Sequence, residues 1–259
     1  MKELVVAQRA AVNAGKMLLK SFNKPHHITT KTTVTDLVTE CDINAQKIIL
    51  DELTKQFPRH NFIGEENLSK NQSSLYTWYI DPLDGTVSFA HGYPLFSVSI
   101  GLKKGNEPIL GVVYVPELNE LFYAAKGKGA YMNKKLHKKR IHVSTTAQLQ
   151  QSLVASGFPY HKHINPDNNI TEFCKVIVKI QGFRRSGSAA FDLCSVACGR
   201  LDGYWELFLK PWDYVTSAVI VEEAGGVVTN TDGTPLDYNG SRIVATNGKI
   251  HKQLLQALQ

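Results

Sequence analysis

The strongest constraint on the fold lies between residues 95 and 125, where β-patterned runs follow one another closely. The runs LFSVSIGL, PILGVVYV and ELFYAA are strongly β-patterned, and the polar turns KKGNE and PELN separate them. Runs of this kind joined by short turns predict an antiparallel meander, in which each strand pairs with the next. The fold must therefore accommodate a sheet built from consecutive strands.

Helical periodicity occurs on both sides of the meander. A first amphipathic helix is predicted from apolar residues at helical spacing, namely Leu4, Ala7, Ala11, Ala14 and Leu18. A second helix is predicted from about Asp42 to Phe57, where Pro58 ends it. Its predicted core side consists of Ile43, Ile49, Leu50, Leu53 and Phe57. Further helices are expected near 167–179, near 188–199, in PWDYVTSAVIVEEAGG and at the C terminus.

Short β-patterned segments alternate with these helices, so the chain is predicted to belong to the α+β class. These segments are NFIG, TWYI, LVASG, DGYWEL, VVTN and IVATN. The sequence shows no internal repeat and no linker. We therefore expect residues 1–259 to form a single unit with two closely packed lobes, approximately 1–140 and 141–259.

Composition narrows the class of protein. With 43% hydrophobic and 20% charged residues, the chain has the composition of an ordinary globular protein. No apolar run approaches the roughly 18 residues that span a bilayer, and the charged N-terminal segment lacks a signal-peptide cleavage site, so we expect no membrane association. The scattered cysteines favour reduced, buried thiols and a cytoplasmic location. A net charge of +6 favours anionic ligands without distinguishing phosphate esters from nucleic acids.

Acidic residues stand out in GEEN, DPLDGT and KPWD, which lie far apart in the sequence. Each has an ordinary interpretation: Glu65 and Glu66 as a solvated loop, the aspartates of DPLDGT as turn formers, and Asp213 as a favourable charge in the first turn of a helix. These interpretations remain open for each segment taken alone.

The DPLDGT segment is the hardest to explain by turn formation alone. A strand delivers Asp81 at its end, and Pro82 is expected to turn the chain so that Asp84 returns to the same side. Two carboxylates placed in this way can share a hard cation. The amides of Gly85 and Thr86 would then point to where a phosphate oxygen can bind.

The motifs GEEN, WYIDPLDGTVSFAHGYPLFSVSIGL and KPWDYVTSAVIVEEAGG, in this order, resemble the signatures of the inositol monophosphatase family. That family belongs to the lithium-sensitive, magnesium-dependent phosphatases. The likeness extends to KTTVTDLVTECD, GKGAYMN, RRSGSAAFDLC and GRLDGYWE, so it covers nearly the whole chain. The resemblance implies a layered α-β-α-β-α sandwich and a homodimer.

The resemblance also implies a set of metal ligands for about two to three Mg²⁺ ions. Glu65 and Asp81, with the Leu83 carbonyl, would bind the first ion. Asp81, Asp84 and Asp213 would bind the second, and Glu65 with waters would bind a weaker third. Thr86 and Glu65 would orient and deprotonate the attacking water.

Substrate contacts follow from the same resemblance. The amides of Gly85 and Thr86 would hold the phosphate. The other contacts, on the side of the alcohol, would come from Asp84, Asp213, Glu206 and the backbone of Ala189. Lys31 and Asp42 match positions near the metal loop and are expected to support it.

This chain departs from the family pattern at several positions. Val87 and Ser88 replace the usual Thr and Asn after DPLDGT. After Glu206 the family commonly has a glycine, whereas this chain has Leu207 and Phe208. A large ring at this place is expected to narrow the substrate pocket.

The sequence leaves alternatives open for the substrate and for the partners. The first hypothesis is hydrolysis of myo-inositol monophosphate. The same chemistry on histidinol phosphate, a nucleotide 3′-phosphate or fructose 1,6-bisphosphate is the nearest alternative. A regulatory role is the second, in which the basic segment 134–140 contacts RNA or RNA polymerase; such clusters are more often solvated turns.

Overall fold

The computed structural model describes residues 1–25, 27–31, 36–134 and 137–259. Two features of the sequence analysis fall partly outside these residues. They are the KTTVTDLVTECD motif, of which residues 32–35 are not described, and the basic segment 134–140, of which residues 135 and 136 are not described.

Helices and strands alternate along the described residues. The helices are α1 (Lys2–Ser21), α2 (Glu40–Gln56), α3 (Thr86–Ala90), α4 (Ile170–Ile177), α5 (Ala189–Ala197), α6 (Pro211–Glu223) and α7 (His251–Leu258). The strands up to the end of the basic segment are β1 (Ile28–Thr30), β2 (Leu37–Thr39), β3 (Asn61–Gly64), β4 (Leu68–Lys70), β5 (Tyr76–Asp84), β6 (Ser97–Lys104), β7 (Glu107–Val115), β8 (Glu120–Ala125), β9 (Ala130–Lys134) and β10 (His137–Arg140). The remaining strands are β11 (Leu153–Ser156), β12 (Gly182–Arg184), β13 (Gly203–Leu207), β14 (Val227–Thr229) and β15 (Arg242–Thr246).

Within the described residues the strands form two large sheets and a ribbon of β1 and β2. The larger sheet has the order β10-β9-β8-β7-β6-β5-β3-β4, and the smaller sheet has the order β12-β11-β13-β15-β14. Strands β6, β7 and β8 pair antiparallel, each with the next. The predicted meander is therefore confirmed.

Each sheet buries both of its faces, because side chains alternate along its strands. In β7, Val112 packs with helices α1 and α2, whereas Val113 packs with α5 and α6. In β13, Tyr204 packs with α5 and α6, whereas Trp205 packs with α4 and α7. The layers are thus α1/α2, larger sheet, α5/α6, smaller sheet and α4/α7. This order confirms the predicted α+β class and the α-β-α-β-α sandwich.

Helix α6 is buried on all sides, and residues 214–221 are all buried. A helix with no polar face fits only between two packed layers. Its close approach to the larger sheet depends on glycines in β6 and β7. A Cβ at Gly111 would lie 2.1 Å from the Thr216 carbonyl oxygen, and a Cβ at Gly101 would lie 2.7 Å from the Thr216 hydroxyl. The backbone of the sheet therefore forms the surface on which α6 rests.

Two predictions about individual side chains are wrong. Ile43 was expected on the core side of the second helix, but it is 58% exposed. Six residues of helix turn through about 240°, so Ile43 and the buried Ile49 point in different directions. Cys174 was expected to be a buried thiol, but it lies exposed on α4; Cys41 and Cys194 are buried as expected.

The two sheets come from different parts of the chain. The described strands of the larger sheet all precede Ile141, and those of the smaller sheet all follow Ser152. The division into lobes 1–140 and 141–259 within one unit follows the same boundary and stays a prediction. Within the described ranges, no helix combines the length and the apolar character that a membrane span requires.

We predict that Gly111→Ala lowers the free energy of unfolding by about 1–3 kcal/mol, the usual cost of overpacking a core. The reason is the collision of the new methyl group with the Thr216 carbonyl. Urea unfolding followed by tryptophan fluorescence measures the change. In the control Gly105→Ala, nothing lies within 4 Å of the new Cβ, and only the positive φ of +59° opposes it. An equal decrease in the free energy of unfolding in both variants would contradict the close packing of α6 on the larger sheet.

Candidate functional site

Strand β5 ends in an irregularity that positions two carboxylates. Its pairing with β6 shifts register between Asp81 and Asp84, so the chain bulges around Pro82. The Leu83 N–H donates to Asp81 Oδ1 at 3.0 Å. Gly85 then turns the chain with a φ of +99°, a conformation that favours glycine. The strand therefore continues past Pro82, where the sequence predicted a break, and Asp84 still belongs to it.

The carboxylate of Asp84 is held by the start of helix α5. Its Oδ2 accepts hydrogen bonds from the Ser188 hydroxyl at 2.6 Å and from the Ala190 N–H at 2.7 Å. Its Oδ1 accepts a longer bond from the Ala189 N–H at 3.3 Å. The unpaired N–H groups and the dipole at a helix N-terminus stabilise a negative charge. This contact ties the end of β5 to the middle layer.

Glu65 and Glu66 follow β3, the parallel neighbour of β5. Lys31 Nζ lies 2.8 Å from Glu65 Oε1 and 2.5 Å from Glu66 Oε1. Burial lowers the pKa of Lys31, but the two carboxylates raise it by more, so the lysine is charged. The structure therefore places Lys31 beside the acidic loop, where the motif resemblance expects a supporting residue.

Thr86 is buried at the start of α3, directly after the Gly85 turn. Its hydroxyl lies 3.0 Å from Asp42 Oδ1 and 3.1 Å from the Leu83 carbonyl oxygen, so its one proton serves one acceptor at a time. Asp42 is itself fixed at the start of α2, because the N–H and the hydroxyl of Thr39 donate to its Oδ2 at 2.8 and 2.6 Å. The Thr86 oxygen keeps lone pairs for a further donor.

Asp213 lies in the first turn of α6, the all-buried helix. Its Oδ2 accepts the Lys210 N–H at 2.7 Å across the helix start. Pro211 opens this helix in the position where a missing N–H costs nothing. The same helix that packs on the larger sheet thus brings Asp213 to the end of β5.

Four carboxylates share this region: Asp81 is buried, and Glu65, Asp84 and Asp213 are partly buried. Burial raises the pKa of Asp81 well above its usual range, and the charges of Glu65, Asp84 and Asp213 raise it further. Burial and the charge of Glu65 also raise the pKa of Asp213, and burial raises that of Asp84 to about 6. Carboxylates buried together favour bound protons or cations. Within the described residues, no three His, Cys, Asp or Glu side chains are arranged as a ready-made cage for a metal ion.

Glu206 lies near the end of β13. The Tyr204 hydroxyl donates to its Oε2. Burial raises the pKa of Glu206 to about 8, and the charge of Asp84 contributes to this rise. A Cβ at Gly157 would lie 2.1 Å from Glu206 Oε1, so only glycine leaves the carboxylate where it is.

The residues predicted from the sequence converge where several elements begin or end. These elements are the ends of β3, β5 and β13 and the starts of α3, α5 and α6. Ala189 lies at the start of α5, where its N–H contacts Asp84. The basic strand β10 lies apart from this region, at the far edge of the larger sheet.

Sequence reasoning missed three residues of this region. Ser188 binds Asp84, and a serine before an apolar helical run is a recognisable helix start. Asp192 is only 4% exposed and accepts the Ser186 N–H at 3.4 Å. Burial raises the pKa of Tyr160, and the charges of Glu65, Asp213 and Asp84 raise it further. No local pattern identifies Asp192 or Tyr160.

A sequence profile described as the Inositol monophosphatase family matches residues 1–259. The chain belongs to the inositol monophosphatase family. An inositol-1-monophosphatase of Synechocystis sp. is 48% identical over 256 residues, which cover 98% of this chain and 88% of that protein. The solved structure of inositol monophosphatase from Anabaena (Nostoc) sp. PCC 7120 is 44% identical with a TM-score of 0.87, covering 98% of this chain and 94% of its own. The extragenic suppressor protein suhB of Bartonella henselae is 36% identical with a TM-score of 0.93, covering 100% and 99%.

Membership in the inositol monophosphatase family confirms the predicted resemblance and the prediction that the chain is a phosphatase. Members of this family are metal-dependent phosphatases. The carboxylates of Asp81, Asp84, Asp213 and Glu65 are oxygen donors of the kind that such an enzyme needs.

Asp192 leads to a prediction about pH in the metal-free protein. Burial raises its folded pKa from 3.8 to about 7, so between these values the folded state keeps a proton that the unfolded chain has lost. The stability contribution of Asp192 is therefore complete at low pH, declines as the pH rises above 3.8, and levels off above about 7. We predict that Asp192→Asn, which cannot titrate, reduces the loss of stability between about pH 5 and 8, measured by urea unfolding in EDTA.

The control for this measurement is Asp232→Asn. Asp232 is exposed, and hydrogen bonds from Thr234 lower its pKa. The stability that Asp232 contributes is lost only as the pH falls through that lowered pKa. Removing its charge therefore leaves the pH dependence of the free energy of unfolding near neutral pH unchanged. If the free energy of unfolding of Asp192→Asn fell with pH as steeply as that of the wild type, Asp192 would not be the group that retains the buried proton.

Proposed function

We propose that this chain hydrolyses a phosphate monoester with the help of magnesium, and that its substrate is a myo-inositol monophosphate. The names of the Synechocystis and Anabaena relatives support this choice of substrate. The observation that carries the proposal is the partly buried cluster of Glu65, Asp81, Asp84 and Asp213 beside the turn at Gly85.

The chemistry of the cluster fits Mg²⁺. Carboxylate and carbonyl oxygens are the protein ligands that Mg²⁺ prefers, and the ion retains several waters, so few carboxylates are needed for each ion. Burial and mutual repulsion raise the pKa of Asp81 and of Asp213. Bound cations would offset this repulsion, because an opposite charge favours the ionised carboxylate.

The ligand assignment follows the family pattern. Glu65, Asp81 and the Leu83 carbonyl would hold one ion, and Asp81, Asp84 and Asp213 would hold a second. Glu65 with waters would hold a weaker third. When bound, magnesium supplies positive charge that activates water and neutralises the phosphate.

The protein side chains supply the rest of the reaction. The Thr86 hydroxyl donates to Asp42 or to the Leu83 carbonyl, so its oxygen can accept a hydrogen bond from a water and orient it. Glu65 would take the proton of that water. The water oxygen then bonds to phosphorus from the side opposite the ester oxygen, the ester P–O bond breaks, and the leaving oxygen takes a proton from solvent water to become the alcohol. Glu65 returns its proton to the solvent, which balances the exchange. The amides of Gly85 and Thr86 would hold the phosphate oxygens.

The alcohol portion of the ester would contact the opposite wall. We assign this wall to Glu206, to the backbone of Ala189, and to the outer edges of Asp84 and Asp213. Glu206 lies close enough to Asp84 for their charges to interact, which supports a shared pocket. Its carboxyl group can bind the hydroxyls of a cyclitol whether it is ionised or protonated.

We also infer a homodimer in the cytoplasm. The resemblance to the family supports the dimer. Among the described residues the cysteines form no disulfide, which agrees with a reducing compartment.

The test is phosphate release from four esters with and without Mg²⁺. These are inositol 1-phosphate, histidinol phosphate, a 3′,5′-bisphosphate nucleotide and fructose 1,6-bisphosphate. We expect the highest kcat/KM for inositol 1-phosphate, no turnover in EDTA, and a nearly complete loss of turnover in Asp84→Asn. A dominant rate on another ester would keep the chemistry and change the substrate.

The matched control is Asp51→Asn, a change of the same kind at an exposed position on α2. It should retain the wild-type rate. Asp84→Asn should also keep a cooperative thermal transition, because an amide oxygen still accepts the Ser188 hydroxyl. Wild-type kcat in Asp84→Asn would refute the metal assignment.

A second candidate function is contact with RNA or RNA polymerase. Strand β10, of sequence HKKR, is exposed along its whole length and forms an edge of the larger sheet. Clustered basic side chains on an edge attract phosphate backbones in a salt-dependent way. The Bartonella relative carries the name extragenic suppressor protein, which states no enzymatic activity.

We predict that changing Lys138 and Lys139 together to Glu leaves phosphatase kcat/KM unchanged, since β10 lies apart from the carboxylate cluster. If the second function exists, the same variant loses a salt-sensitive affinity for single-stranded RNA, measured by fluorescence anisotropy. Changing Lys47 and Lys55, two exposed lysines on α2, together to Glu is the control for net charge, because it alters the charge by the same amount. Equal RNA affinity in all three proteins would contradict a binding role for β10.

A further inference from the structure

Glu206 lies at the point where strands β11 and β13 separate. The parallel pairing of these strands ends with Ser156 opposite Trp205, and the next residues along the two segments are Gly157 and Glu206. The Glu206 carboxylate rests on the Gly157 backbone, in the space that a Cβ of this residue would occupy. Because strand pairing no longer joins the two segments there, another interaction has to keep Gly157 in place beside the carboxylate.

The side-chain amide of Asn169 provides this interaction. Its Nδ2 donates to the Gly157 carbonyl at 2.6 Å and to Ser156 Oγ at 2.8 Å, and its Oδ1 accepts the Trp205 Nε1–H at 2.6 Å. The Ser156 hydroxyl in turn donates to the Trp205 carbonyl at 2.7 Å. Asn169 therefore binds the segments on both sides of the opening, at the position where the strand pairing stops.

The partners of Asn169 fix the orientation of its amide. An indole N–H can only donate and a backbone carbonyl can only accept, so Oδ1 has to face Trp205 and Nδ2 has to face Gly157. Asn169, Ser156 and Trp205 are all buried, so the protein itself has to satisfy their polar groups. A rotated amide would leave a donor facing a donor. The network therefore admits one arrangement, and this arrangement sets the distance between the two segments.

Asn169 lies on the face of the smaller sheet opposite Glu206. The Trp205 ring, which bonds Asn169, packs with α4 and α7. Its neighbour Tyr204 packs with α5 and α6 on the other face, and the Tyr204 hydroxyl donates to Glu206. A substrate bound at Glu206 would thus be separated from Asn169 by the sheet. Any influence of Asn169 on the site has to pass through the backbone of Gly157.

The backbone of Asn169 also suits few residue types. Its φ is +70°, in the left-handed region that asparagine tolerates better than most side chains do. The residue directly precedes α4, whose first residue is Ile170. Glycine adopts the same backbone conformation without strain. Asn169→Gly therefore removes the amide and leaves the turn into α4 intact.

We propose that Asn169 is a positioning residue for recognition of the substrate alcohol. By holding the Gly157 backbone against β13, it keeps the Glu206 carboxylate where this group can bind a hydroxyl of the substrate. The inference rests on the proposed function, because it concerns the wall of the pocket to which Glu206 belongs. Loss of the amide would weaken the binding of polyhydroxylated alcohols and leave the carboxylates around Asp81 in place.

The experiment compares kcat and KM for inositol 1-phosphate and for phenyl phosphate, a ring ester without further hydroxyls, both with Mg²⁺. Asn169→Gly should raise the KM for inositol 1-phosphate about fivefold with little change in kcat, as expected when one hydrogen bond to the substrate is impaired. The KM for phenyl phosphate should stay within about twofold of wild type, because that ester has no hydroxyl for Glu206 to bind.

The matched control is Asn247→Gly, which removes another buried side-chain amide. The Nδ2 of Asn247 donates to Ser144 Oγ and to the Thr146 carbonyl, both at 2.8 Å. Asn247 follows Thr246, which pairs with the first residue of β13, so it lies at the end of that strand away from Glu206. This variant should lower the melting temperature as well, but both KM values should remain those of the wild type.

A double-mutant cycle tests whether Asn169 acts through Glu206. In the background of Glu206→Ala, Asn169→Gly should change the KM for inositol 1-phosphate by less than about twofold, because the group that it positions is gone. The melting temperature shows whether Asn169→Gly folds. If it does not, Trp205→Phe takes its place in both experiments with the same expected changes, since it removes the N–H donor to the amide and keeps an aromatic ring.

The outcomes separate the inference from the function beneath it. An unchanged KM for inositol 1-phosphate in Asn169→Gly would overturn the inference alone. An equal rise in KM for both esters, or a rise of the same size with and without Glu206, would also overturn it, since either result indicates general damage to the fold. Absence of turnover by the unaltered chain would overturn the proposed function and the inference with it.

Discussion

The close contact between helix α6 and the larger sheet is the constraint on which the rest of the structure depends. At Gly101 and Gly111 the sheet has no side chain, so Thr216 rests directly on its backbone. Because residues 214–221 of α6 are all buried, this contact also sets the position of the first turn of the helix. Asp213 thereby reaches the end of β5, where its carboxylate meets those of the DPLDGT segment. A shift of the helix by the width of one methyl group would change the geometry of the whole cluster.

The charge that accumulates at this point has to be balanced within the fold. Part of the balance comes from the start of α5, whose N–H groups and Ser188 hydroxyl hold Asp84, and part from Lys31 beside Glu65. Neither removes the repulsion around Asp81, whose pKa stays well above its usual range. Folding therefore assembles a set of oxygens that is stable only with protons or cations, and this couples the stability of the protein to its ligands.

The surroundings of Glu206 differ from those of the four carboxylates. The carboxylate of Glu206 accepts a hydrogen bond from the Tyr204 hydroxyl and lies against the backbone of Gly157. In the segment that starts at Gly157, His161 packs against the ring of Phe208, whose φ is +64°. Strained backbone conformations persist only where the surrounding contacts compensate them, and they cluster at functional sites. Phe208, one of the residues at which this chain departs from the family pattern, thus adopts a strained conformation two positions after Glu206.

The sequence by itself determined the features that depend on local pattern. β-patterned runs joined by short polar turns predicted the meander, helical spacing predicted α1, and the ordered motifs around Asp81, Asp84 and Asp213 predicted the family and its site residues. Local pattern was insufficient for Ile43, whose exposure depends on which face of α2 meets the core, and for Pro82, which a bulge accommodates inside β5. Only the tertiary structure decided the contacts of Ser188 and Phe208. The physical reason is that these contacts join residues far apart in the chain through packing and electrostatics, and neither leaves a periodic trace in the sequence.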